Sequence, residues 1–193
     1  MKTKNKIVCL VGPSGVGKTS FAKRLVEKHN FVLPEVVTTR KPRIDDDKYY
    51  RYVSEDIFWA LVNSRQFIEW DKYSDYYYGT LLDSLATLAN DLSHSGVILD
   101  LTPTGCQKVK AIIPNAVVIA LLPDDPVWLE QRLLSRNTQS AAEIKKRGDI
   151  LHLYLSEISR LACEKVDVSF SPKTWDETFR KIESIILRQP VNG

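Results

Sequence analysis

The stretch IVCLVGPSGVGKTS, residues 7–20, decides the fold because it joins an apolar segment to a helix start through a glycine-rich turn. Its first five residues, 7–11, are all apolar, which is typical of a strand buried in a parallel sheet. Residues 12–19 match G-x-x-x-x-G-K-[ST], and a helix is predicted from Lys18 to about His29. Glycines allow the loop to turn its N–H groups inward, and the helix start favours an anion. The stretch therefore predicts a loop that binds the phosphates of a nucleoside triphosphate.

Two side chains of this loop have predicted roles in nucleotide binding. Lys18 is expected to reach the β- and γ-phosphates, and the Thr19 hydroxyl is expected to hold Mg²⁺. Asp100 lies near the end of a second apolar strand, where a carboxylate supports Mg²⁺ in many such proteins. Capping of the next helix or turn is the alternative role for Asp100. The predicted ATP-binding residues are Gly12, Pro13, Ser14, Gly15, Val16, Gly17, Lys18, Thr19 and Ser20.

Strand and helix patterns alternate along most of the chain, which predicts right-handed βαβ units and a parallel sheet. An aromatic-rich stretch, residues 49–80, interrupts this alternation and predicts an inserted β-rich subdomain. Strands are predicted at residues 7–11, 36–39, 50–53, 67–70, 76–80, 97–101, 116–122 and 165–168. Helices are predicted at residues 18–29, 81–94, 127–136, 141–164 and 175–187, with one more after the cap residue Ser54.

Composition limits the function classes. The chain has 193 residues, a formal net charge of +3 and 44% hydrophobic residues, which suit one α/β domain rather than a nucleic-acid-binding protein. The three cysteines form no CxxC pair, which favours reduced thiols over a metal site. The first apolar run is too short for a signal peptide or a membrane span. A cytoplasmic protein without membrane or nucleic-acid partners is expected, and its oligomeric state stays open.

A second group of residues predicts an acceptor site. Arg40 and Arg43 are three residues apart in a proline-containing loop, and two guanidinium groups there suit one phosphate. The hydroxyls of Tyr50 and Tyr78 could add donors. Glu69 lies within the apolar segment FIEW, and a buried carboxylate requires hydrogen-bond donors. A nucleobase with adjacent N–H groups would supply two of them.

The ordered motifs together resemble the guanylate kinase family. They are GPSGVGKT at 12–19, TTRKPR at 38–43, YRYVS at 50–54, FIEW at 67–70, YYGT at 77–80, ILD at 98–100 and RLLSRNT at 132–138. The resemblance implies a P-loop NTPase three-layer α/β fold with a central parallel sheet. It also implies one domain over residues 1–193, with a core at 1–35, 81–136 and 148–193. The acceptor-binding subdomain would span about 36–80, and a helical lid about 137–147.

The resemblance also implies roles for individual residues. Those expected to act on the transferred phosphoryl group are Lys18, Arg43, Arg132, Arg136 and Arg147. Those expected to bind the acceptor are Thr39, Arg40, Arg43, Tyr50, Glu69, Tyr78, Gly79, Thr80 and Thr102. Thr19 and Asp100 would hold Mg²⁺. Because Arg132 and Arg136 are four residues apart, an ordinary exposed helix face is the alternative for them.

The sequence departs from the family pattern at two positions that contact guanine. Val36 replaces a serine, and Thr102 replaces a second aspartate. The phosphate-binding motifs are retained, so phosphoryl transfer from ATP to a nucleoside monophosphate, GMP or dGMP, is the predicted function. Two alternatives stay open. One is a kinase for another nucleoside monophosphate or a ribose bisphosphate, and the other is a non-catalytic guanylate-kinase-like binding module.

Overall fold

A computed structural model describes residues 1–42, 49–125, 127–129, 131, 153–169 and 171–188. Its strands are β1 (Lys6–Val11), β2 (Phe31–Val32), β3 (Val36–Thr38), β4 (Tyr50–Tyr52), β5 (Phe67–Tyr73), β6 (Tyr76–Leu81), β7 (Gly96–Leu101), β8 (Val117–Pro123) and β9 (Glu164–Val168). The helices are α1 (Lys18–His29), α2 (Glu55–Asn63), α3 (Leu82–Asn90), α4 (Pro103–Ile112), α5 (153–159) and α6 (Pro172–Arg188). Residues 127–129 and 131 are also helical.

The central sheet has five parallel strands in the order β2-β7-β1-β8-β9. Strand β1 separates two apolar layers because its side chains alternate between the faces. Val8 and Leu10 pack with Phe21 of α1, whereas Cys9 and Val11 belong to the cluster on the other face. Burying one large apolar side chain stabilises a fold by about 1.5–3 kcal/mol. The predicted three-layer α/β fold with its central parallel sheet is thus confirmed.

Helix α6 closes one layer directly over the phosphate loop. The indole of Trp175 stacks on Phe21 with ring centroids 4.2 Å apart. Gly17 has φ 110°, and a Cβ atom there would lie 2.2 Å from the Trp175 ring. Arg24 pairs with Asp176 at 2.5 Å, which joins the same two helices. The loop conformation therefore depends on glycine and on the packing of the last helix.

The aromatic-rich insertion forms a separate four-stranded sheet in the order β4-β3-β6-β5. Strands β3 and β4 are parallel, and the β3–β6 and β5–β6 pairs are antiparallel. Phe58 of α2 is fully buried and contacts Phe67, Trp70 and Tyr77. Ser54 caps α2 by accepting a hydrogen bond from the Ile57 N–H, as predicted. Aromatic packing holds α2 on this sheet, and Ile68 of β5 joins the sheet to the main core.

The structure corrects several predicted boundaries. Helix α4 and strand β2 were absent from the predictions. The helix predicted at 81–94 ends at Asn90, because the next segment turns and the Asp91 carboxylate accepts from the Ser93 N–H. The helix predicted at 141–164 ends at residue 159, where i→i−3 bonds at Arg160 and Leu161 tighten the last turn. Residues 164–168 instead pair with β8.

Parts of the predicted helices at 127–136 and 141–164, and the lid predicted at 137–147, lie outside the described residues. Within the described residues, no helix combines the length and apolar character needed to cross a membrane.

Candidate active site

A cleft of about 260 Å³ lies where the carboxyl ends of β1 and β7 meet the four-stranded sheet. Ligands bind at this end of the strands in open parallel sheets. From the phosphate loop the cleft is lined by Gly12, Ser14, Gly15, Gly17, Lys18, Thr19 and Ser20. Of the predicted acceptor-binding and metal-binding residues it is lined by Arg40, Tyr50, Glu69, Tyr78, Thr80, Asp100 and Thr102. The fold thus brings both predicted sites into one space.

Lys18 folds back onto its own loop. Its Nζ donates to the Gly12 carbonyl at 2.8 Å and to the Pro13 carbonyl at 3.3 Å, and it lies 3.7 Å from Asp100 Oδ1. The register of β1 and β7, which pairs Leu10 with Asp100, brings this carboxylate beside the loop. Burial raises the pKa of Asp100, and the Lys18 ammonium opposes that shift. The Lys18 ammonium and the Asp100 carboxylate therefore stabilise each other electrostatically.

Two residues of the predicted phosphate loop, Val16 and Pro13, are buried and do not line the cleft. Val16 is fully buried in the core layer of α1. Pro13 is buried, and its carbonyl accepts from Val16 N–H at 3.4 Å as well as from Lys18.

Thr102 rather than Asp100 caps the following helix, because its hydroxyl accepts from the Gly105 N–H. Asp100 is therefore left to face the cleft.

Arg40 is held in position against two tyrosine rings. The side chain is only 6% exposed, and its guanidinium lies 5.4 Å from the centre of the Tyr50 ring and 5.7 Å from that of Tyr52. Its Nη1 also donates to the Lys41 carbonyl at 2.9 Å. Burial raises the pKa of Tyr50, so this phenol keeps its proton at neutral pH and can donate a hydrogen bond. Both groups suit an anionic acceptor.

Glu69 is a buried carboxylate inside the cleft. Its Oε1 accepts hydrogen bonds from the Thr80 N–H at 3.1 Å and the Thr80 hydroxyl at 2.6 Å. A bulge in β5 between Phe67 and Glu69 sets this register opposite Thr80. Burial raises the pKa of Glu69, and the bonds from Thr80 oppose the shift. Each carboxylate oxygen has two acceptor sites, so a ligand with N–H donors would favour the ionised form.

Because Gly105 has no side chain, Oε2 of Glu69 can lie close to this position. A Cβ atom at this position would lie 2.9 Å from Oε2 and 3.2 Å from the Thr102 hydroxyl. We expect Gly105→Ala to raise the KM for the acceptor about tenfold or more, because small displacements of binding groups are costly. The KM for ATP should stay within twofold. Helix α4 should be no less stable, since alanine favours helices over glycine by about 1 kcal/mol. An unchanged acceptor KM in steady-state kinetics would contradict this assignment.

Two residues predicted to bind the acceptor do not line the cleft: Thr39, which directly follows β3, and Gly79, which lies in β6. The Thr39 hydroxyl accepts a hydrogen bond from the Tyr77 N–H at 3.0 Å and so extends the β3–β6 pairing. Gly79 lies against the Phe67 ring, which a Cβ atom would approach to 2.8 Å. Val36, at the position of the family's serine, does line the cleft.

The cleft residues that were missed from the sequence include Asp71, Tyr73 and Tyr154. Asp71 and Tyr73 follow Glu69 at alternate positions of β5, so the period of two along a strand was a usable signal. Tyr154 comes from distant helix α5, and its ring packs edge-on against Tyr73 at 5.8 Å. No local pattern could have placed Tyr154 there. The predicted residues Arg43, Arg132, Arg136 and Arg147 lie outside the described residues.

Comparisons with known proteins decide the family. The family model described as guanylate kinase matches residues 4–189. The chain belongs to the guanylate kinase family. It is 31% identical over 191 residues to guanylate kinase of Prochlorococcus marinus strain MIT 9312, covering 96% of this chain and 99% of the relative. It is 35% identical over 192 residues to guanylate kinase of Rickettsia bellii, covering 97% of each chain.

A solved structure agrees with the fold. The crystal structure of guanylate kinase from Anaplasma phagocytophilum superposes with a TM-score of 0.71, covering 97% of this chain and 88% of that one, at 23% identity. Guanylate kinases are nucleoside monophosphate kinases, so the chain is placed among the phosphotransferases. The predicted family and enzyme class are confirmed.

Proposed function

We propose that this guanylate kinase family member transfers the γ-phosphoryl group of ATP to GMP or dGMP, giving ADP and GDP or dGDP. The observation that supports this most directly is Glu69. A buried carboxylate in the same cleft as the phosphate loop is suited to a base that presents adjacent N–H donors. Guanine presents its ring N1–H and its 2-amino group side by side.

The acceptor phosphate would bind between Arg40 and Tyr50. The guanidinium is already oriented by stacking, and the protonated phenol can donate. Tyr78 faces the same cleft and would add a third donor. Arg43 is proposed to complete this phosphate site. In this proposal, residues of about 36–80 act as the acceptor-binding subdomain.

Charge on the transferred group would be balanced mainly by cations. Phosphoryl transfer depends chiefly on positioning and electrostatic stabilisation. Lys18 would exchange its carbonyl bonds for the β- and γ-phosphates. Arg132, Arg136 and Arg147 are proposed to act from a lid at about 137–147 and its flanks. This lid would also exclude water from the reacting phosphate.

The proposed cofactor is Mg²⁺, which neutralises phosphate charge when bound with ATP. The Thr19 hydroxyl and the Asp100 carboxylate line the cleft and are hard oxygen ligands of the kind Mg²⁺ takes. No group of three or more His, Cys, Asp or Glu side chains in the described ranges could hold a metal ion. Two protein ligands beside a phosphate loop fit a cation that is bound together with the triphosphate.

An acceptor panel tests the proposal. ADP formation from ATP and Mg²⁺ is measured with GMP, dGMP, AMP, UMP, dTMP and a ribose bisphosphate. We expect kcat/KM for GMP to exceed that for AMP by about 10²-fold or more, because a site built around hydrogen bonds discriminates strongly. An equal or better rate with a non-guanine acceptor would overturn the guanine assignment. Absence of turnover with every acceptor, together with no ATP binding by calorimetry, would indicate a binding module.

A further inference from the structure

A second carboxylate, Asp71, faces the cleft beside Glu69. The two residues are separated by one position on β5, so their side chains leave the same face of the strand. The register beyond the bulge is regular, with Glu69 opposite Thr80 and Asp71 opposite Tyr78. Both carboxylates line the cleft. Burial is the main cause of the raised pKa of Glu69, and the negative charge of Asp71 adds to it.

The carboxylate of Asp71 is held from two directions. The Thr102 hydroxyl donates to Oδ2 at 2.6 Å, and the Lys72 N–H donates to Oδ1 at 2.8 Å. The direction of the Thr102 proton is fixed, because the same hydroxyl oxygen accepts from the Gly105 N–H at 3.0 Å. Since each carboxylate oxygen has two acceptor sites, each keeps capacity for one more donor beyond those from the part of the chain that the structure describes. Asp71 is therefore oriented without being saturated.

The hydrogen bond from Thr102 to Asp71 places a negative charge beside position 102, where this sequence has a neutral residue. At position 102, where the family pattern has an aspartate, Thr102 is neutral. Its hydroxyl is nevertheless within 2.6 Å of a carboxylate that comes from a different strand. A negative charge supplied by β5 thus lies one hydrogen bond away from position 102.

We propose that Asp71, oriented by Thr102, is a specificity-determining residue that accepts a hydrogen bond from the exocyclic amino group of the acceptor base. Glu69 then binds the ring N–H, and the two carboxylates together require an acceptor with adjacent ring N–H and amino donors. This inference rests on the proposed function, since it concerns the base of the same acceptor. Hypoxanthine keeps the ring N–H of guanine but lacks the 2-amino group, so GMP and IMP separate the two contacts.

The test compares kcat/KM for GMP and IMP in the wild-type protein, in Asp71→Asn and in the exposed control Asp83→Asn. We expect Asp71→Asn to lower the value for GMP about 10- to 100-fold, as for loss of a hydrogen bond to a charged group. The value for IMP should change less than threefold, so the GMP/IMP ratio collapses. The control should keep both values. An equal loss for both acceptors, or no loss for either, would overturn the inference.

A rescue variant separates base recognition from a purely structural role. The double variant Asp71→Ala, Thr102→Asp returns the carboxylate to position 102, and aspartate can still cap α4. We expect it to recover at least tenfold of the GMP/IMP ratio lost in Asp71→Ala. A ratio that stays at the level of Asp71→Ala would contradict the proposal. If the wild-type protein does not phosphorylate GMP, the proposed function itself fails; if it does and the ratio is insensitive to Asp71, only this inference fails.

Discussion

Replacing Lys18 by alanine is expected to lower kcat with ATP and GMP by about 10³-fold, the size of effect seen when one preorganised donor to transition-state charge is removed. Lys18 is the cation that the structure places at the phosphate loop, with its Nζ 2.8 Å from the Gly12 carbonyl. Its removal also deprives Asp100 of the charge that offsets burial. The pKa of Asp100 should therefore rise further, which weakens the proposed Mg²⁺ support at the same time.

Steady-state kinetics at saturating ATP and GMP measure this effect. Lys23→Ala is a matched control, because Lys23 is an exposed lysine on the same helix α1. It should retain kcat within about twofold, since exposed substitutions away from a site have small effects. A Lys18→Ala protein that keeps more than a tenth of wild-type kcat would refute the role assigned to Lys18.

Glu69→Gln is expected to separate stability from function. The glutamine carbonyl can still accept from Thr80, but its amide then presents N–H donors toward a base that also presents donors. Loss of charged hydrogen bonds worth about 1.5–3 kcal/mol each should lower kcat/KM for GMP by about 10²-fold or more. The KM for ATP should change little. Retention of wild-type kcat/KM for GMP would show that Glu69 does not contact the base.

Although Glu69→Gln should lower kcat/KM, it should maintain or increase the stability of the unliganded protein. Because burial raises the pKa of Glu69 in the folded protein, the folded state binds this proton more tightly than the unfolded state. The wild-type protein therefore loses stability as pH rises from about 4.3, the ordinary glutamate value, through the raised pKa. Glutamine has no such cost, so its Tm at pH 8 should equal or exceed that of the wild type.

Thermal unfolding at several pH values checks this sign. The difference in Tm between Glu69→Gln and the wild type should shrink as the pH falls below about 4.3, where the wild-type carboxyl becomes protonated in both states. Glu177→Gln provides the control, because Glu177 is exposed on α6 and should show no such dependence. A lower Tm for Glu69→Gln at pH 8 would mean that the carboxylate stabilises the unliganded fold.

Strands and helices with a clear pattern in their own local sequence were predicted, and those without one were missed. Apolar runs predicted β1, β7 and β8, with Asp100 as the polar exception in β7, because a strand buried on both faces is mostly apolar. Helix α4 was missed because its start, Thr102-Pro103-Thr104-Gly105, has the composition of a turn. In the structure threonine is the N-cap and proline occupies the first turn, where its missing N–H costs nothing.

Residues of the candidate site were likewise predictable only where the local sequence carried a signal. Glu69 was predictable because a carboxylate inside an apolar segment is conspicuous in the sequence. The partnership of Asp71 with Thr102 was not, because it joins residues from β5 and the start of α4 that only the tertiary fold brings together. Comparison of position 102 alone indicates a lost charge, whereas the structure shows a charge supplied from another element.

The packing of Trp175 on Phe21 and Gly17 has a consequence for the order in which the site forms during folding. The loop spans residues 12–19, whereas α6, which carries Trp175, spans Pro172–Arg188, so the two are far apart in the sequence. Until α6 docks, the sheet covers the apolar face of α1, but Phe21 and Gly17 lack the Trp175 indole that packs on them. Because contacts between residues far apart in the sequence form slowly, the loop is expected to reach its final packing late in folding.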